Sequence, residues 1–178
     1  MSFTPTKYEL KLTVDFEELT FKGDAKIHVD VIDAVKEFDL KTSKDLEIER
    51  VSFWQARYIQ RGNPNTIGEI ATIEVDKEND LVHVTLLGDI DAESIREEGY
   101  IQAGNVTTLL PILEDIPVPI TLSVVTPYRA GVQTNLQTGD HKSVNESLFA
   151  NNFTGGDEKV LASDLKIIIN APTALVLD

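Results

Sequence analysis

The 178-residue sequence has no cysteine, one tryptophan and one methionine. Without cysteine there are no disulfides, no thiolate nucleophile, no iron–sulfur cluster and no cysteine-based zinc site. Basic residues are scarce as well: 16 Lys and Arg face 30 Asp and Glu, a formal net charge of -14. Phosphate backbones and anionic membranes are recognised by Lys and Arg clusters, so neither nucleic acid nor membrane is an expected partner. No run approaches the roughly 18 apolar residues of a membrane helix. The start, Met1-Ser2-Phe3-Thr4-Pro5-Thr6-Lys7, lacks the basic and apolar regions of a secretory signal, so a cytoplasmic setting is expected. Three sequons, at Asn105, Asn145 and Asn152, would matter only in a secreted chain.

What is present is globular. Hydrophobic residues make up 42% and charged residues 26%, a balance that supports a packed core. The length suits one domain, expected over residues 1–178.

The dominant pattern has period two. Phe21, Gly23, Ala25, Ile27, Val29 and Val31 alternate with Lys22, Asp24, Lys26, His28 and Asp30. Successive strand side chains point to opposite faces, so this is a strand with one dry side. Tyr8, Leu10, Leu12 and Val14 alternate in the same way with Glu9, Lys11 and Thr13. The two strands are expected to be antiparallel neighbours across Asp15–Leu19. Further strands are expected at Glu37–Lys41, Leu46–Trp54, Glu69–Asp76, Leu81–Leu87, Pro119–Thr126 and Asp164–Asn170, with a hairpin joining the third and fourth of these. Asp91–Glu98 is the best helix candidate, and it is short. Gln133–Glu158, rich in Asn, Gln, Ser, Thr and Gly, reads as a long loop with one short strand near Ser147–Phe149. Many short strands with few helices predict an all-β protein, an antiparallel β-sandwich of two layers.

The residues that carry chemistry form no recognisable machinery. His28, His83 and His141 share no metal-ligand spacing. The acidic run from Asp89 fails as a calcium loop, because its sixth position is Ser94 and its twelfth Tyr100. There is no Gly-x-Ser-x-Gly and no phosphate-cradling glycine loop. The sequence therefore supports no catalytic residue, no metal ligand and no cofactor. One aromatic group, Phe53, Trp54 and Tyr58, lies beside Arg57 and Arg61. Aromatic side chains of this kind more often pack a core than bind, but Trp54, Tyr58 and Arg57 make the candidate binding surface.

Several segments together resemble a known family. Lys7-Tyr8-Glu9-Leu10-Lys11-Leu12 leads through Asp15-Phe16-Glu17-Glu18-Leu19-Thr20-Phe21-Lys22-Gly23 to Ala25-Lys26-Ile27-His28-Val29-Asp30-Val31. Ser43-Lys44-Asp45-Leu46-Glu47-Ile48 follows. The pattern Tyr-x-Leu-x-Leu, then Thr-Phe-x-Gly, then Lys-x-Leu-x-Ile resembles the N-terminal β-domain of the M1 zinc aminopeptidases. Leu161-Ala162-Ser163-Asp164-Leu165-Lys166-Ile167-Ile168-Ile169 is similar to the strand that closes that domain. The resemblance implies that the zinc site, His-Glu-x-x-His with a downstream Glu, belongs to a separate catalytic domain, expected to begin about where this chain stops. Neither that motif nor the family's Gly-x-Met-x-Asn is present here. The family's N-terminal domain also contributes an active-site Gln followed by Glu-Pro. The corresponding stretch here, Asn145 to Phe153, has neither. The family's Phe-Tyr-Arg-Ser segment is reduced to Pro127-Tyr128-Arg129-Ala130-Gly131. The resemblance thus implies a non-catalytic module whose expected partner is a protein or peptide. The alternative is a segment of a complete zinc aminopeptidase whose catalytic domain lies outside this chain. A carbohydrate module using Trp54 is a third reading.

Overall fold

The computed structural model describes residues 3–31, 39–43, 46–54, 81–91, 99–103, 109–156 and 158–172. Among the described residues ten strands form two sheets. They are β1 (Phe3–Asp15), β2 (Thr20–Val31), β3 (Leu46–Trp54), β4 (Leu81–Asp89), β5 (Tyr100–Ala103), β6 (Ile120–Pro127), β7 (Gly131–Thr134), β8 (Gln137–Ser143), β9 (Leu148–Thr154) and β10 (Ile167–Asn170). The larger sheet has seven strands in the order β3-β4-β2-β1-β6-β9-β8, and the smaller has β5-β10-β7. Every pairing is antiparallel except β1 with β6. The all-β two-layer expectation holds.

The period-two residues place the core. Tyr8, Leu10, Leu12 and Val14 of β1 are buried, as are Phe21, Ala25, Ile27 and Val29 of β2 and Val82, Val84 and Leu86 of β4. Their register is in phase: Leu12 faces Gly23 across one ladder, and Gly23 faces Leu86 across the next. A slip of one residue would turn this apolar set to solvent, so the pattern enforces the register. Ile120, Leu122 and Val124 of β6 extend the same dry face. Ile167 and Ile169 of β10, from the small sheet, join the same core cluster with Leu165.

The segment from Leu109 to Val118 has no strand of its own but packs into the same core cluster. Leu109, Leu110, Ile112 and Leu113 are buried. The Tyr8 hydroxyl, on β1, donates to the Glu114 carbonyl at 3.0 Å. It also accepts from the amides of Leu113 and Glu114 at 3.2 and 3.3 Å. One phenol thus satisfies three backbone groups that burial would otherwise strand.

Four expectations change. Gln133–Glu158 is not a long loop: it holds β8, β9 and the end of β7. Strand β8 escapes the pattern because all seven of its residues are exposed, so neither face alternates with apolar side chains. It is an edge strand held by the β9 ladder, with a register shift between Thr138 and His141. The short strand near Ser147–Phe149 is instead the full β9. The closing strand begins later than Asp164, after a 3-10 turn over Ala162–Asp164. Within Glu37–Lys41, Asp39 and Leu40 are not in a strand, and Lys41 makes an isolated bridge to Ile112. The expected strand Glu69–Asp76 lies outside the described residues, as does the expected helix Asp91–Glu98 apart from Asp91, which is in no helix.

Candidate functional site

Tyr58 and Arg57, two of the three candidate binding residues, lie outside the described residues. The Trp54 backbone ends β3 opposite Leu81, and its side chain is not among those described. The described residues offer two other surfaces.

The first is the wet face of the large sheet. Glu9 meets Lys7 at 2.5 Å and His28 at 3.4 Å, and Asp24 meets His83 at 2.9 Å. His28 Nε2 is buried without a hydrogen bond, so its contact with Glu9 is electrostatic and poorly aligned. Asn152 donates to Asp140 at 2.8 Å, and Lys142 pairs with the same carboxylate at 2.6 Å. A shallow groove of about 420 Å³ runs between Glu9, Lys11, Asp24, Lys26 and Asp140. Each of its three carboxylates already has a basic partner just outside the groove, Lys7, His83 or Lys142, as on an ordinary solvated sheet face.

These pairs couple stability to pH. The Lys7 hydrogen bond holds the Glu9 carboxyl below its usual range, and the His83 hydrogen bond does the same for Asp24. A carboxyl whose folded pKa is lowered stabilises above its unfolded value, and that contribution fades as pH falls through the folded value. The Asp24 side chain is 37% exposed, which limits its effect to about a few tenths of a kcal/mol. Asp24→Asn is therefore expected to flatten the fall in urea midpoint between about pH 5 and pH 2 slightly. An unchanged slope would show that the His83 pair does not contribute.

The second surface is a cleft of about 890 Å³ at one end of the sandwich, in the size range of ligand sites. Three turns meet there. Thr13 to Glu17 leave β1, Pro127 and Tyr128 end β6, and Asn145 to Leu148 connect β8 to β9, with Pro172 beside them. Each turn is fixed by its own hydrogen bonds. Asp15 Oδ1 accepts from the amides of Glu17 and Glu18, both at 3.0 Å. Asn145 Oδ1 accepts from the amides of Ser147 and Leu148, both at 2.8 Å. These are Asx-type turns, in which a short polar side chain replaces a backbone acceptor.

The third turn carries the exposed aromatic group. The Ala130 amide donates to the Pro127 carbonyl at 3.2 Å, closing a four-residue turn. Its third residue, Arg129, has φ of +72°, a left-handed conformation that costs a non-glycine residue about 1 kcal/mol or more. The Tyr128 amide donates to the Ser147 carbonyl at 2.9 Å and ties this turn to the β8–β9 turn. Tyr128 is 61% exposed, packs on Phe149 at 5.5 Å, and has the Arg129 guanidinium 5.5 Å from its ring centre. The fold thus joins the two segments in which the chain departs from the aminopeptidase pattern, 127–131 and 145–153. The cleft between them has no local sequence signal, because its walls are turns contributed from positions 13, 127, 145 and 172.

Among the described residues no three His, Asp or Glu side chains are grouped to hold a metal ion.

No protein-family model matches the chain, and no curated protein matches it. Solved structures do. The M1 zinc metallopeptidase from Deinococcus radiodurans superposes with a TM-score of 0.67 at 16% identity, over 95% of this chain and 42% of that one. A point mutant of that enzyme bound to a Tyr-Ser-Ala substrate gives 0.68 at 17% identity, over 95% and 42%. A mutant of a two-domain M1 zinc metallopeptidase bound to L-tryptophan gives 0.68 at 15% identity, over 95% and 43%. At these identities the likeness is one of fold. An N-terminal β-domain alone would give such coverage, in agreement with the resemblance read from residues 7–51 and 161–169. The chain has the fold of part of an M1 zinc metallopeptidase and spans less than half the length of the structures it matches.

Proposed function

We propose that this chain is a non-catalytic β-sandwich module that binds a protein or peptide. The observation that carries this reading is the cleft at the Tyr128 end. It is preformed by hydrogen-bonded turns, and one wall carries an exposed aromatic ring. Preformed turns lower the ordering cost of binding, and exposed aromatic residues are favoured anchors at interfaces. The sequence supports the non-catalytic half of the proposal: it holds no His-Glu-x-x-His and no other catalytic motif. Fold likeness by itself names no function, since one sandwich hosts many.

The test pairs binding with turnover. The purified chain, with zinc added, is incubated with aminoacyl chromogenic amides and titrated with a panel of short peptides. The expected result is saturable peptide binding with no release of chromophore. Hydrolysis that co-purifies with the chain would contradict the non-catalytic reading, and absence of any binding would contradict the binding reading.

A second reading, a segment of a complete zinc aminopeptidase, is favoured by the 42–43% coverage of the matched structures. In that case the sandwich would help to wall a substrate cleft completed by another domain. Sequencing the encoding gene beyond Asp178 decides it: an in-frame His-Glu-x-x-His supports this reading, and a stop codon with no adjacent partner gene removes it.

A further inference from the structure

We propose that the cleft at the Tyr128 end docks an extended peptide segment through a Lys or Arg side chain. This rests on the reading of the chain as a peptide- or protein-binding module and adds the chemistry of what it binds. The cleft is apolar below and acidic at the rim. Pro127, Leu148 and Pro172 contribute apolar surface over the buried Val14 and Phe16, while Asp15, Glu17 and Glu146 contribute carboxylates. Among the described residues no Lys, Arg or His lines it. One Asp15 oxygen is engaged by the turn it caps. Glu17 and Glu146 are both exposed, and among the described residues neither carboxylate has a hydrogen-bond or ion-pair partner. This differs from the wet sheet face, where Glu9, Asp24 and Asp140 already have basic partners.

Charge complementarity therefore selects the occupant. Unpaired carboxylates above low-dielectric walls focus a negative potential into the cleft, and a net charge of -14 adds long-range attraction for a basic partner. A Lys or Arg stem is apolar and its head is charged, so it lies along apolar walls with its cation at the rim. The Tyr128 ring already carries a guanidinium, that of Arg129 in its own turn, at 5.5 Å. Tyr128 remains 61% exposed, so aromatic surface is left beside the rim for an incoming Arg. Glu146 sits inside the turn ordered by Asn145, so its backbone position is fixed before the ligand arrives.

The test uses the full chain and two acetylated, amidated pentapeptides, Gly-Leu-Arg-Leu-Gly and the same peptide with Gln in place of Arg. Blocked ends exclude capture through a terminal amine or carboxylate. The expected result is at least about tenfold tighter binding of the Arg peptide, weakened by added salt. The double variant Glu17→Gln/Glu146→Gln, at two exposed positions and checked for native circular dichroism, is expected to erase that preference. Equal binding of the two peptides, or an Arg preference that survives in the double variant, overturns the proposal while leaving peptide binding itself intact. Failure of both peptides to bind overturns both readings. Concentration-dependent dimerisation that the double variant abolishes would assign the cleft to a second copy of the chain and overturn the proposal as well.

Discussion

Tyr8→Ala is expected to destabilise the fold by about 4 kcal/mol, which in a domain of this size lowers the melting temperature by roughly 10 °C. The side chain is 1% exposed, so truncation leaves a cavity that its neighbours fill only in part. Volume is only one component. The hydroxyl also holds the 109–118 segment by three hydrogen bonds, to the Glu114 carbonyl and the Leu113 and Glu114 amides. Tyr8→Phe keeps the ring and removes only those bonds. It is expected to cost about 2 kcal/mol, since two donors and one acceptor lose their partner in a part-buried site. Thermal or urea denaturation of the two variants separates packing from bonding. A Phe variant as stable as the parent would show that the segment is held by its leucines alone.

Gly23→Val is expected to cost about 3 kcal/mol, the upper end for overpacking a tight core. A Cβ at Gly23 would lie 2.6 Å from Leu86 Cδ1 and 3.1 Å from Leu110 Cδ2. Both leucines are fully buried, so neither has solvent to move into. Valine suits a strand intrinsically, so β-propensity predicts the opposite sign. The comparison is Lys22→Val, one residue away on the wet face, expected within about 0.5 kcal/mol of the parent. Equal urea midpoints for the two variants would mean that β2 does not approach Leu86 as closely as described.

Legibility follows from which faces are wet. Strands β1, β2 and β4 are readable because one face is dry, and a dry face imposes alternation on every second residue. Strand β8 is not, because Gln137–Ser143 is wet on both faces and is held only by its backbone ladder to β9. The role of Tyr8 was visible as a core residue but not as a hydrogen-bonding anchor, since its partners lie 105 and 106 positions away. The cleft is likewise a product of topology. Resemblance marked the 127–131 and 145–153 segments as unusual, but only the parallel pairing of β1 with β6 sets them beside the β1–β2 turn. Of the three histidines, His83 is paired with Asp24 on the wet face and His141 is exposed on β8, whereas His28, beside Glu9, has its Nε2 buried without a hydrogen bond.

The most direct test of the binding-module reading is a map of backbone amide shifts during titration with the Arg-bearing pentapeptide. The account predicts that shifts gather at residues 13–17, 127–129 and 145–148 and that the peptide is recovered intact. Shifts confined to the wet sheet face around Glu9, Asp24 and Asp140, or a cleaved peptide, would contradict it.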